Sequence, residues 1–177
     1  MKLLLPILLS FVGPAVSAGL CPSGFRHFYS HGRPVNPATH TYHGSCYRFE
    51  RMPENWFDAR RKCLSLGSDL VSIESAGEQH HLQGVIRTNP IYQKPEMTGV
   101  YNFGYWTSGT DQLREGTWKW AATDSTMSYG NWNLKEPNNA AIYGEDCLHV
   151  IPGTYRWNDA HCVIYLMLYI CEKRALI

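Results

Sequence analysis

The sequence predicts an α+β domain: two helices packed on small antiparallel sheets, with one long irregular loop and three disulfide staples. Three observations predict it. Two windows in the first half carry apolar residues at helical spacing, the second half holds short strand-like apolar segments, and six cysteines sit in a chain that opens like an exported one.

The 177-residue chain fits one domain better than two. Lys2 precedes an apolar run from Leu3 to Leu9, and small residues follow at Val16-Ser17-Ala18. This is the layout of a secretory signal peptide cleaved after Ala18. The run is too short for a bilayer, which takes about 20 apolar residues. The expectation is a signal peptide over residues 1–18, then a single extracellular domain over residues 19–177 with no membrane span. A formal net charge of +1 and the lack of a basic stripe set nucleic acid aside as a partner.

The cysteines are Cys21, Cys46, Cys63, Cys147, Cys162 and Cys171. An even count in an exported chain points to disulfides, but the spacing leaves many pairings open. There is no Cys-x-x-Cys pair, which argues against a zinc ribbon or a redox motif.

Residues 22–45, rich in Pro, Gly, His and Ser, read as an irregular arm tied back by a Cys21–Cys46 bridge. Cys46-Tyr47-Arg48-Phe49 alternates as a short strand. Asn55 caps a helix in which Trp56, Ala59, Cys63 and Leu66 recur at helical spacing, and Gly67 stops it. Leu70-Val71-Ser72-Ile73 is a short strand. Ser75 and Glu78 form the capping box of a second helix running to about Arg87. Residues 88–104, with Pro90, Pro95 and Gly99, form a long loop. Tyr105-Trp106-Thr107, Trp118-Lys119-Trp120 and Cys147-Leu148-His149-Val150-Ile151 are strand-like. The apolar run from Val163 to Ile170 reads as a buried strand. Trp118, Trp120, Trp132 and Trp157 are assigned to the core, because large aromatics dominate core burial.

Residues 121–146 form a long segment without regular pattern, and such loops are usually functional or disordered. This one is rich in oxygen-bearing side chains. Glu136-Pro137-Asn138-Asn139, Glu145-Asp146-Cys147 and then Trp157-Asn158-Asp159 supply carboxylates and carboxamides, the donors a hard cation such as Ca²⁺ takes in sets of about 6–8. Each motif alone is weak, since such residues also serve turns. Three together, flanking cysteines, are a metal-site pattern with coordination positions left for a ligand's own oxygens.

The chain resembles the C-type lectin domain family over nearly all of its mature length. The resemblance lies in Trp56-Phe57-Asp58-Ala59 leading to Cys63, Leu70-Val71-Ser72-Ile73, Glu115-Gly116-Thr117-Trp118 with Trp120, the three oxygen motifs, and Tyr169-Ile170-Cys171-Glu172. It implies bridges Cys63–Cys171 and Cys147–Cys162, with Cys21–Cys46 as the extra bridge of the family's long form. It implies that Glu136, Asn138, Glu145, Asn158 and Asp159 hold a sugar-binding calcium ion, with a cis bond before Pro137. It also implies an auxiliary calcium site at Asp111, Glu115, Asn139 and Asp146, weakened because many relatives carry Asp where Asn139 stands. The Glu-Pro-Asn order resembles that of members that bind mannose, glucose, GlcNAc or fucose. Glycans ending in such sugars are therefore the implied partners, contacted by Glu136, Asn138, Glu145 and Asn158.

Beyond the resemblance, His27, His31, His40 and His43 match no standard zinc spacing and read as solvated loop histidines. Tyr101 and Phe103 are expected to pack under their loop. Tyr143 lies between two of the oxygen motifs, either as a stacking face for a sugar or as an exposed ring. Neither Gly-x-Ser-x-Gly nor His-Glu-x-x-His occurs, so a hydrolase is not expected. Single sugars held by two hydroxyls bind weakly, so avidity calls for an oligomer, which no collagen or heptad repeat here would build. A protein-binding or toxin-like module on the same fold is the alternative function.

Overall fold

The computed structural model describes residues 21–30, 43–93 and 104–176. Residues 1–18, expected as a signal peptide, and His31, His40, Tyr101 and Phe103 lie outside these residues. Strands β1 (Arg26–Ser30) and β2 (His43–Glu54) come first, then helix α1 (Trp56–Ser65), β3 (Asp69–Leu70) and α2 (Ala76–Thr88). A 3-10 turn over Pro90–Gln93 follows, then β4 (Tyr105–Thr110), β5 (Lys119–Trp120) and β6 (Ser125–Thr126). Last come β7 (Cys147–Val150), β8 (Trp157–Ala160) and β9 (Met167–Leu176). The strands run β1-β2-β9-β4-β5-β6, with β3 on β9 and β7 joining β4 to β8. Every pairing is antiparallel except β4 with β9, which run parallel at Tyr105↔Leu168 and Trp106↔Tyr169.

Local chemistry explains the helix limits. Asn55 caps α1 by accepting the Asp58 N–H at 3.0 Å. Gly67 leaves the helix at φ +65°, where a side chain would be strained. Leu66 is the C-cap of α1, 37 % exposed, and does not belong to the buried helical stripe. Ser75 Oγ accepts the Glu78 N–H at 3.2 Å, one half of the expected capping box. The other half shifts by a residue: the Glu78 carboxylate takes the Glu74 N–H at 3.0 Å and the Tyr47 hydroxyl at 2.6 Å. Glu78 is thus fully buried, and burial, with the nearby Glu172 charge, pushes it up to about 7.

The strands are longer and more numerous than their apolar patterns. β2 starts before Cys46 because it pairs with the C-terminal strand from His43↔Leu176 to Glu54↔Met167. The arm contributes β1, which pairs with β2. Val71 to Ile73 are buried but lie past the end of β3. The Val163–Ile170 run is divided. Only Met167 onward enters β9, while Val163 and Ile164 stand 55 % and 60 % exposed on a turn. The cause is local: His161 Nδ1 accepts the N–H groups of both Val163 and Ile164, and a side chain that satisfies backbone donors favours a turn over a ladder.

The disulfides are Cys21–Cys46, Cys63–Cys171 and Cys147–Cys162, the pairs that the resemblance implies. The second ties α1 to β9, and the third joins the starts of β7 and of the turn after β8. Trp118, Trp120 and Trp157 are buried in one aromatic core, with Trp132 packed against it. Trp157 Nε1 donates to Gln79 Oε1 at 2.8 Å, which locks β8 to α2. That anchor positions the next two residues, Asn158 and Asp159.

Candidate functional site

The site is assembled from three segments. Strand β8 supplies Asn158 and Asp159 from a rigid base: Leu148 faces Asp159 and His149 faces Asn158 across the β7–β8 ladder. The long loop returns to this base because Trp132 bridges Trp157, with Asn133 N–H donating to Trp157 O at 2.8 Å and Trp157 N–H to Asn131 O at 2.9 Å. From there the chain turns through Lys135, at φ +70°, into Glu136 and the cis peptide before Pro137.

Of the five residues expected around the sugar site, Asp159 contacts Glu136, Asn138 and Asn158, and one backbone N–H joins Asn138 to Glu145, but Glu136, Glu145 and Asp159 do not bring three carboxylate oxygens within 4.8 Å of one another. Asp159, 1 % exposed, accepts the N–H groups of Asn138 and Asn139 on Oδ2 at 3.0 and 2.7 Å. The Ala140 N–H donates to both Asn138 Oδ1 and Glu145 Oε2, at 2.9 and 2.8 Å. Asn158 Nδ2 donates to the Asp159 carbonyl and stands 3.3 Å from His149 Nε2. Glu136 faces Asp159. Burial first, then the contact with Asp159 and the charges of Asp159 and Glu145, hold its carboxyl above the usual carboxylate range. Glu136 Oε2 and Asp159 Oδ1 are buried and without a hydrogen-bond partner. Unpaired buried carboxylate oxygens are costly, and an all-oxygen set of this kind suits a hard divalent cation.

The second cluster lies beside the first. Asp111, Glu115 and Asp146 each bring one oxygen to within 4.8 Å of the others. Asp111 leaves β4 with Oδ2 accepting the Gly116 N–H at 2.8 Å and Oδ1 buried and unpartnered. Burial, and after it the charges of Glu115 and Asp146, push Asp111 up to about 6. Asn139, at φ +48°, connects the clusters: Nδ2 donates to Glu115 Oε2 at 2.7 Å, and Oδ1 accepts the Glu145 N–H at 2.7 Å.

Two further residues shape the site without being legible as its parts. Gly144 turns at φ +84°, and a Cβ there would come within 3.3 Å of Asp146 Oδ1 and 3.5 Å of Asn139 Oδ1. A glycine directly before Glu145 was the available signal. His149 backs Asn158 from β7. It is almost wholly buried, and desolvation holds its imidazole down to about 4, so it is neutral at pH 7. In the sequence it is one residue of an apolar strand, with nothing to mark it. Tyr143 is 79 % exposed, its ring edge-on to His161 with centroids 6.5 Å apart.

A disulfide-stapled helix-and-sheet frame that presents an oxygen-lined loop over a short strand defines a class, the C-type lectin-like binding domains. The chain belongs to the C-type lectin family: the model of the Lectin C-type domain matches residues 52–173. The chain is 36 % identical over 131 residues to a perlucin-like protein of Mytilus galloprovincialis, covering 73 % of this chain and 77 % of that protein. It is 32 % identical over 174 residues to the low affinity immunoglobulin epsilon Fc receptor of Mus musculus, covering 98 % of this chain and 42 % of the receptor. With the hepatic lectin of Gallus gallus it shares 33 % identity over 133 residues, 75 % of this chain and 56 % of that protein. The chain thus spans about half the length of these last two relatives. Among solved structures, the carbohydrate-recognition domain of cow CD23, determined in the presence of a GlcNAc2Man3 oligosaccharide, superposes with a TM-score of 0.65 at 28 % identity, covering 88 % of this chain and 96 % of that one. The mouse scavenger receptor C-type lectin carbohydrate-recognition domain does so at 0.64 and 28 %, covering 86 % and 97 %.

Proposed function

We propose that this chain is a secreted, calcium-dependent lectin that binds glycans ending in mannose, glucose, GlcNAc or fucose, in defence or cell-surface recognition. The observation that carries the reading is the facing pair Glu136 and Asp159, each with one buried carboxylate oxygen lacking a partner. Glu136, Asn138, Glu145, Asn158 and Asp159 would hold the ion, and Asp111, Glu115, Asn139 and Asp146 an auxiliary one. When bound, calcium supplies a positive centre with coordination positions open to two neighbouring sugar hydroxyls. Glu136 and Glu145 accept the hydroxyl protons, and the amides of Asn138 and Asn158 donate to the same oxygens, so each hydroxyl both donates and accepts. The buried frame of β7 and β8 holds Asn158 and Asp159 in place before ligand arrives, which lowers the ordering cost of binding at these two residues.

Support also comes from the lectin relatives and the oligosaccharide in the cow CD23 crystals. No helix among the described residues is long and apolar enough to cross a membrane. A second reading, a protein-binding module in which calcium only orders the loop, draws on the immunoglobulin Fc receptor that aligns over nearly the whole chain.

The test is retention of the refolded mature protein on mannose-agarose in calcium. Elution by EDTA and by free mannose, but poorly by galactose, is the expected result. Failure to bind any sugar matrix while calcium still raises the melting temperature would put the protein-binding reading in its place.

A further inference from the structure

We propose that the cavity between α1 and the β4–β5 segment is a second binding site, for a neutral aromatic small molecule. It is separate from the sugar-binding reading above and does not depend on it.

A surface helix normally keeps one apolar stripe for the core and turns polar residues to water. Helix α1 departs from that pattern. Its core stripe is Trp56, Ala59 and Cys63, all buried. Phe57 and Leu64, two turns apart, stand 45 % and 53 % exposed. These two are not scattered surface residues, because both line one cavity of about 460 Å³, to which Trp56 and, from the turn after β4, Leu113 also contribute. Small-molecule sites occupy roughly 300–1,000 Å³.

The walls are held in place. The Trp56 N–H donates to Cys162 O at 2.9 Å, and Trp56 Nε1 donates to Thr107 O of β4 at 2.8 Å. Arg60 ties the helix to the strand side, with Nη2 donating to Ala121 O at 2.8 Å. The turn that carries Leu113 is closed by the Arg114 N–H on Asp111 O and the Thr117 N–H on Arg114 O, both at 2.9 Å. A cavity formed before its ligand arrives needs little ordering to bind.

The charges select a neutral occupant. Arg60, Arg61, Lys119, Asp111 and Asp124 line the cavity. Arg60 pairs with Asp69 at 3.0 Å, Arg61 with Asp58 at 3.0 Å, and Lys119 with Asp124 at 3.1 Å. Asp111 brings an oxygen to Glu115 and Asp146. A charged ligand would compete with these pairs, whereas a neutral ring loses water against Phe57, Leu64 and Leu113. Phe57 already stands edge-on to Trp56, with centroids 5.3 Å apart, and a ligand ring extends that edge-to-face packing. A protein partner would cover roughly 20–30 residues a side, far more than one concave site offers.

The test is fluorescence titration with two probes on the same ring system, neutral N-phenylnaphthylamine and its sulfonate, anilinonaphthalenesulfonate, in calcium with and without excess mannose. The parent is expected to bind one neutral probe per chain, on the order of tenfold more tightly than the sulfonate and with no effect of mannose. Phe57→Ser and the double variant Leu64→Gln/Leu113→Gln should each weaken it on the order of tenfold. Ile91→Gln, at a 51 % exposed residue after α2, should bind as the parent does. The double variant changes only exposed side chains, so it decides the matter if Phe57→Ser does not fold. Four results overturn the proposal: no saturable binding by the parent, a sulfonate bound as tightly as the neutral probe, displacement by mannose, or equal effects of the double variant and Ile91→Gln. A parent dimer that the double variant dissociates would assign the cavity to a second copy and overturn it too.

Discussion

Replacing Glu136 with glutamine separates what the carboxylate does for the ion from what it costs the fold. Glu136 faces the buried Asp159, and each keeps an unpartnered oxygen. The substitution keeps size and removes one of the charges on which calcium affinity depends. For the parent at calcium one hundred times its Kd, binding contributes about 2.7 kcal/mol. For a domain of this size that is a rise of roughly 5–10 °C in Tm. A hundredfold weaker site at the same calcium concentration retains about 0.4 kcal/mol, or about 1 °C. In EDTA the direction reverses. Relief of a partly solvated like-charge contact, at most about 1 kcal/mol, makes the variant equal to or a few degrees more stable than the parent. The assay is a pair of melting curves, with calcium and with EDTA, for both proteins. An undiminished calcium shift in the variant would mean that Glu136 is not a ligand. A clear loss of stability in EDTA would mean that the facing carboxylates do not repel, and the electrostatic account would fail.

Asn139→Asp should destabilise the protein in EDTA, because Glu115 loses the Asn139 Nδ2 donor and gains a like charge. It should strengthen calcium binding at the auxiliary cluster, and calorimetric titration with unchanged affinity and stoichiometry would count against that cluster as a metal site. Glu78, raised to about 7 by burial and by Glu172, favours the protonated form in the fold. Its contribution is therefore complete below its ordinary value near 4.5 and is lost as pH rises through about 7, by at most about 3 kcal/mol. Urea unfolding in EDTA across that window should show the decline in the parent and a flatter profile in Glu78→Gln; equal slopes would refute the assignment. Removing the Cys63–Cys171 bridge, which spans 108 residues, should cost about 5 kcal/mol by chain entropy. A loss under about 1 kcal/mol in urea unfolding would show that the reduced chain is already constrained.

Sequence alone determined what depends on local chemistry. Asn55, Gly67 and Ser75 mark helix limits because caps and left-handed exits are decided within a few residues. The oxygen motifs were legible because their residue types and short spacings state the chemistry directly. What only the tertiary structure decided depends on segments far apart in the chain. β2 reaches back to His43 because a strand from the other terminus lies beside it. The second half of the Glu78 capping box moves to Glu74 while Tyr47, from a distant strand, takes the other carboxylate oxygen. Val163 and Ile164, apolar enough to read as core, stand in solvent because His161 satisfies their amides locally and the Cys147–Cys162 bridge holds the turn in place. His149 acquires its place behind Asn158 only through the β7–β8 register, a pairing that no spacing within one segment encodes. Except at Val163 and Ile164, whose turn His161 sets locally, the physical reason is common: a ladder partner, a buried hydrogen bond or a register is a property of two segments at once, and neither segment carries it alone.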